Sequence, residues 1–240
     1  MALKFTILGC GSSGGVPRPA LGWGDCDPAN PKNRRRRTSL LVERRSATGI
    51  TPVLVDTSPD LREQLIESGV DWLDAVLITH EHADHTHGID DLRGLFIRHR
   101  RRLDVYLDEH TAKTMRARFG YCFQSPPGSE YPPIANEHRL VPGQALTVRG
   151  AGGPIAALGG LDIWIVDALR YRPHPSHWSV DEALAWIDRL KPKRAILTNL
   201  HSDLDYAALR AKLPPHVEPA FDGMVVELAD AEPARAAGAI

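Results

Sequence analysis

His80-Glu81-His82-Ala83-Asp84-His85 follows directly on the apolar run Ala75-Val76-Leu77-Ile78-Thr79. Imidazole and carboxylate suit Zn²⁺, Mn²⁺ or Fe²⁺, and these donors exceed the three protein ligands that one catalytic zinc usually takes. The economical expectation is a pair of metals about 3.5–4 Å apart. On a helix His80 and His82 would diverge, unlike the i, i+4 pair of a helical HExxH site. In an extended turn after a strand, side chains two apart point the same way. His80 and His82 are therefore expected to grip one metal, with Asp84 and His85 turned toward a second. The plain alternative is a His-rich surface loop, and so dense a set of ligand-type residues beside a buried strand speaks against it.

Working outward, Leu3–Leu8 reads as a first strand, followed by a Gly/Ser/Pro loop to about Asn33. Thr38–Glu43 and Val53–Asp56 read as strands, and Leu61, Leu65 and Ile66 as the apolar stripe of a helix stopped by Gly69. After the histidine loop come a helix over Asp90–Arg100, a strand over Leu103–Leu107 and a helix over Glu109–Phe119. The pattern then weakens to Pro/Gly-rich loop from Tyr121 to Gly160, with one strand at Ala145–Val148. Ile163–Val166 is a strand. Ser179-Val-Asp-Glu182 is a capping box that opens a helix ended by Pro192. Strand Arg194–Thr198, helix Leu204–Leu213 and strand Met224–Leu228 close the pattern, and the residues from Ala229 to Ile240 read as a frayed tail. Strand-rich at first and alternating later, the chain is predicted to be α/β with a mixed sheet.

A chain of 240 residues, 42% of them hydrophobic, has ample length and apolar content for a core, here taken as one domain over residues 1–240. Net charge of −1 gives no global attraction to nucleic acid or membrane, so neither a stable nucleic-acid partner nor a membrane is expected. Three cysteines in no metal-like spacing suit a reducing cytosol, and no signal peptide is visible, which points to a cytoplasmic location. A homodimer is compatible with all of this.

Thr79-His-Glu-His-Ala-Asp-His85 resembles the HxHxDH signature of the metallo-β-lactamase fold. Leu8-Gly-Cys-Gly-Ser-Ser-Gly-Gly-Val-Pro17, Asn33–Val42 and Phe221-Asp-Gly-Met224 are similar to the branch that contains the PhnP-type cyclic phosphodiesterases. The resemblance implies a four-layer αββα sandwich with the metals in a cleft at the edge of its two sheets. It implies two divalent metals, Zn²⁺ or Mn²⁺, held by His80, His82, Asp84, His85 and His201. The substrate would be a small phosphodiester, cyclic or nucleotide-like, cleaved with metal-activated water. His177 and Asp84 would be the catalytic residues, His177 protonating the leaving oxygen. His174 competes for that role, and no spacing argument separates the two.

The resemblance further suggests Asp56 as a carboxylate supporting a metal-bound histidine. Asp222 is a weaker candidate for supporting or substrate contacts. Of the two dense basic runs, Arg34–Arg37 and Arg98–Arg102, Arg36 and Arg37 fall in the family-like segment and could steer anions toward the cleft. The glycine loop Gly9–Pro17 could contact phosphate through backbone N–H groups, but a tight structural hairpin suits it better.

The chain also departs from the family pattern. A complete dinuclear site uses a histidine and a bridging aspartate between the metal loop and His201, and no histidine occurs from Arg139 through Pro173. The stretch reads as if a segment carrying both ligands, and part of the second sheet, were excised between about residues 150 and 162. Neither Asp167 nor His138 is assigned as a replacement. The alternative reading is a catalytically impaired binding module that keeps the fold and a partial metal site.

Overall fold

The computed structural model describes residues 2–141, 144, 146–153, 155–156 and 162–229. The centre of the apparent excision and the tail beyond residue 229 lie outside the described residues.

Seven strands make the large sheet, in the order β12-β1-β2-β3-β4-β5-β6. They are β1 (Ala2–Gly9), β2 (Ser39–Ser46), β3 (Gly49–Val55), β4 (Ala75–Leu77), β5 (Leu103–Leu107), β6 (Ala135–Arg139) and β12 (Val225–Ala229). The β12-β1-β2-β3 half is antiparallel and the β3-β4-β5-β6 half is parallel. A smaller parallel sheet runs β11-β10-β9, from β9 (Ile163–Asp167), β10 (Arg194–Thr198) and β11 (Val217–Pro219). A short ribbon of β7 (Thr147–Val148) and β8 (Ile155–Ala156) is separate.

The period-2 alternation of β2 to β5 sorts their side chains into two layers. Leu41, Leu54, Val76, Leu103 and Val105 face outward, where α1 (Leu61–Ser68), α3 (Arg93–His99) and α4 (Glu109–Phe123) cover them. Ile7, Met224, Val226 and Ile196 pack between the sheets. Val166, Ala195, Leu197 and Val217 face α5 (Val180–Leu190) and α6 (Tyr206–Lys212). The result is the expected αββα sandwich, with a second sheet of only three strands among the described residues.

Local details follow from local chemistry. Ser179 N–H donates to Glu182 Oε2 at 2.8 Å and Glu182 N–H to Ser179 Oγ at 3.3 Å, which closes the predicted capping box. Val180 and Ile187 are buried on the same helix face, with Leu184 packed beside them. In α1 only part of the predicted stripe holds, since Leu61 and Leu65 face the core while Ile66 is 61% exposed. The predicted helix over Asp90–Arg100 is split into a 3₁₀ turn, Ile89–Leu92, and α3. Strand β6 lies in the stretch that the sequence pattern reads as loop, because Asn136, Glu137 and His138 give an edge strand with little apolar signal. Among the described residues no helix is long and apolar enough to cross a membrane.

Candidate metal centre

Four strand ends converge on one cleft of about 540 Å³ between the sheets. Asp56 follows β3, Thr79 and His80 follow β4, Asp167 ends β9 and Asn199 follows β10. All four strands run so that their C-terminal ends meet there, which is where parallel α/β sheets usually place their chemistry. Asp56 (φ 64°) and Asn199 (φ 62°) both adopt the left-handed conformation. Asp and Asn tolerate it because their short polar side chains bond locally. The turn swings each side chain back into the cleft.

The histidine loop is extended through His82 and then forms the single turn α2 (Ala83–Thr86). It is clamped to the Asp56–Ser58 turn. Thr57 N–H donates to His85 O at 2.8 Å, and Gly88 N–H donates to Thr57 O at 2.9 Å. Glycine is required at position 88, because a Cβ there would lie 2.0 Å from Ser58 O.

Asp56, 2% exposed, accepts three donors from this loop. These are Thr79 N–H at 2.8 Å, Thr79 Oγ1–H at 2.8 Å and His85 Nδ1–H at 2.7 Å. Because Thr79 spends its proton on Asp56, its oxygen accepts from His80 Nδ1 at 3.0 Å. Both rings are thereby set with the proton on Nδ1 and the lone pair on Nε2. His80 Nε2 and His85 Nε2 are buried without a hydrogen-bond partner in the protein. Burial, followed by the neighbouring His85 and His82, lowers the His80 pKa below its ordinary value. Burial alone would also lower His85, but the Asp56 hydrogen bond and charge, with Asp84, hold it above the ordinary value.

His177 brings a further imidazole. Its ring centroid is 6.2 Å from that of His80 and 6.2 Å from that of His82. The ligating atoms of His80, His82 and His177 lie within 4.8 Å of one another. Its Nδ1 faces Asp167 Oδ2 at 3.2 Å, and the same oxygen accepts Trp178 N–H at 3.1 Å. Asp167, left unassigned in the sequence, is thus the carboxylate behind His177. Its other oxygen accepts Asn199 Nδ2–H at 2.8 Å, and Asn199 Oδ1 is buried with no partner.

The remaining expected ligands are placed unequally. Asp84 Oδ2 lies 3.5 Å from His85 Nε2, so this pair is assembled. His201 is not brought to it. Its Nε2 contacts Arg18 Nη1 at 2.5 Å, its Nδ1 contacts Asp203 Oδ1 at 3.1 Å, and it does not line the cleft. The reason is positional: in the turn after β10, Asn199 takes the inward place. Unpartnered buried imidazole nitrogens fit a divalent metal at the His80 side. On the Asp84–His85 side only two donors are assembled among the described residues.

The basic run is also reassigned. Arg36 binds Asp222 Oδ2 at 3.2 Å and Glu67 Oε2 at 2.7 Å, and Arg37 Nε donates to Asp60 Oδ2 at 2.8 Å. Both line a separate hollow with those carboxylates and are not among the residues that line the histidine cleft. Asp222 accepts Cys10 N–H and Arg36 N–H at 3.0 and 2.7 Å, which makes it a structural tie. The glycine loop spends N–H groups of Cys10, Gly11, Ser12, Gly15 and Val16 on internal bonds, as a structural hairpin does. In the second run, Arg98 pairs with Asp71 and Arg101 lies over the Trp72 ring.

Burial would raise the Asp60 pKa, but hydrogen bonds from Arg37 and the Arg37 and Arg36 charges hold it below the ordinary value. A lowered carboxyl pKa gives stability that is present above the unfolded value and lost as pH falls through the folded one. Asp60→Asn is expected to cost about 1–2 kcal/mol near neutral pH. The deficit relative to wild type should shrink in urea unfolding at pH 3; an equal deficit at both pH values would refute the ionic origin.

Comparison with known proteins agrees with this frame. A family model described as a β-lactamase superfamily domain matches residues 51–157. The crystal structure of a diphosphatase from the PhnP family is 30% identical, with a TM-score of 0.80 over 95% of this chain and 98% of that one. Zn²⁺-bound PqqB from Methylobacterium extorquens shares the fold at 14% identity and a TM-score of 0.65, over 94% of this chain and 100% of that one. The octanoyltransferase of Porphyromonas gingivalis (strain ATCC BAA-308 / W83) is 31% identical over 256 residues, covering 92% of this chain. The chain spans only 51% of that relative. With the histidine loop, its clamped Asp56 and a 30%-identical structure matched over nearly its whole length, the chain belongs to the PhnP-like branch of the metallo-β-lactamase superfamily, whose members are generally metal-dependent hydrolases.

Proposed function

We propose that this chain is a metal-dependent hydrolase of small phosphodiesters. The observation that carries the reading is the unpartnered, buried Nε2 of His80 beside His82 and His177 in one cleft. The diphosphatase relative supports chemistry at phosphorus. His80 and His82 would hold the metal, with Asp84 and His85 adjoining. A divalent ion there, zinc or manganese, would supply a water of lowered pKa and neutralise phosphoryl oxygen charge. Asp56 and Thr79 orient His80 and His85, and Asp167 orients His177. Ile7, Leu40, Val55 and Ile165 form an apolar part of the cleft wall that suits an organic substituent of the ester.

Purified chain supplied with Zn²⁺ or Mn²⁺ is expected to hydrolyse bis(p-nitrophenyl) phosphate and to lose that activity in chelator. Turnover of p-nitrophenyl octanoate but not of the phosphodiester would overturn the substrate class. The second reading is a binding module of weakened or absent catalysis. It is favoured by His201, whose ring nitrogens are engaged by Arg18 and Asp203 instead of joining Asp84 and His85. Metal binding with no turnover on either ester would select it.

A further inference from the structure

We propose that His177 is a metal ligand, completing with His80 and His82 a three-imidazole centre, while the described residues assemble only Asp84 and His85 beside it for a second metal. The inference rests on the reading that this cleft holds a divalent metal, and it replaces the expectation that His177 is a proton donor.

Three observations carry it. First, the ligating atoms of His80, His82 and His177 lie within 4.8 Å of one another. A four-coordinate ion with bonds of about 2.0–2.1 Å holds its ligand atoms about 3.3–3.4 Å apart, so small side-chain rotations close the site. Second, the tautomer is set for ligation. Asp167 Oδ2 lies 3.2 Å from His177 Nδ1; Asn199 Nδ2, 3.3 Å from the same nitrogen, is the weaker partner because it donates to Asp167 Oδ1 at 2.8 Å, so the carboxylate takes the Nδ1 proton and Nε2 is free. Metal-bound histidines usually give their other N–H to such a carboxylate. His80 has the equivalent arrangement through Thr79 and Asp56. Third, the neighbouring pair is incomplete: Asp84 and His85 meet at 3.5 Å, while His201 is committed to Arg18 and Asp203. An imidazole whose Nε2 lone pair is bound to a metal has no proton there to give, so His177 cannot be both ligand and acid.

Cobalt titration of the metal-stripped chain, followed by visible spectroscopy and elemental analysis, separates the roles. Wild type is expected to bind one equivalent with the intense bands of a four- or five-coordinate ion. His177→Ala should weaken Co²⁺ binding at least about 100-fold, and Asp167→Asn about 10–100-fold. His201→Ala should leave Co²⁺ binding unchanged. His177→Cys should regain an equivalent of cobalt with a sulfur-to-metal charge-transfer band, which only direct ligation produces and which also excludes simple misfolding. The proposal is overturned if His177→Ala binds cobalt as wild type does, or if wild type binds two equivalents with similar affinity. Cobalt binding as expected with no phosphodiester turnover would sink the substrate reading and leave this one standing. Absence of any bound cobalt in wild type would sink both.

Discussion

Asp56→Asn is expected to weaken divalent-metal binding by about 10–100-fold and to destabilise the metal-free chain by about 1–3 kcal/mol. Asparagine keeps the size of the side chain and its tolerance of the left-handed φ of 64°, so the turn itself survives. What changes is the charge and the acceptor count. The carboxylate meets Thr79 N–H, Thr79 Oγ1–H and His85 Nδ1–H, all donors. An amide nitrogen in place of one oxygen sets donor against donor in a site that is 2% exposed. His85 or Thr79 must then turn away, and with Thr79 goes the orientation of His80. Urea unfolding of the apo chain and cobalt titration read the two effects separately. Loss of stability with unchanged metal affinity would reduce Asp56 to a structural residue.

Arg35→Met should cost about 3–5 kcal/mol, enough to threaten folding of a domain of ordinary stability. Arg35 is 2% exposed inside what looks in the sequence like a solvated basic run. Its Nη1 donates to His201 O at 3.1 Å, and its Nη2 to Leu204 O at 2.6 Å and Asn33 Oδ1 at 3.3 Å. Those acceptors belong to the turn between β10 and α6 and to the 3₁₀ turn Pro31–Asn33, so one guanidinium ties the first loop to the second sheet. Methionine fills much of the volume but removes all three charge-assisted bonds: His201 O and Asn33 Oδ1 keep only the Leu204 N–H and Tyr206 N–H donors, and Leu204 O loses its 2.6 Å donor. A urea-derived loss below 1 kcal/mol would mean that water satisfies these acceptors.

The run Arg34–Arg37 shows why some of the site could not be read along the chain. Consecutive residues of one type went four ways: Arg34 over the Trp23 ring, Arg35 into the interior, Arg36 to Asp222 and Glu67, Arg37 to Asp60. Apart from the Arg35 bond to Asn33, the partners are distant in sequence, and charge patterning cannot see them. The same limit applies to His201 and Asn199. A histidine at the end of a strand is the obvious ligand by composition, yet the left-handed turn at Asn199 gives the inward place to the amide. An Asn that follows an apolar strand was the available signal. Asp167 carried a similar one, since it stands at the C-terminal end of β9.

By itself the sequence determined the order of strands and helices wherever apolar periodicity is strong, the capping box at Ser179, and the six-residue loop that places the chain in its superfamily. These are local properties: side-chain alternation, cap chemistry and donor density over a few residues. Only the tertiary structure decided which donors share a centre. Strand ends from both sheets bring Asp56 and Asp167 to the loop, the segment before α5 brings His177, and loop clamping aims the Nε2 atoms of His80 and His85. Directions of this kind arise from how two sheets pack, and that packing is set by contacts between residues far apart in the chain.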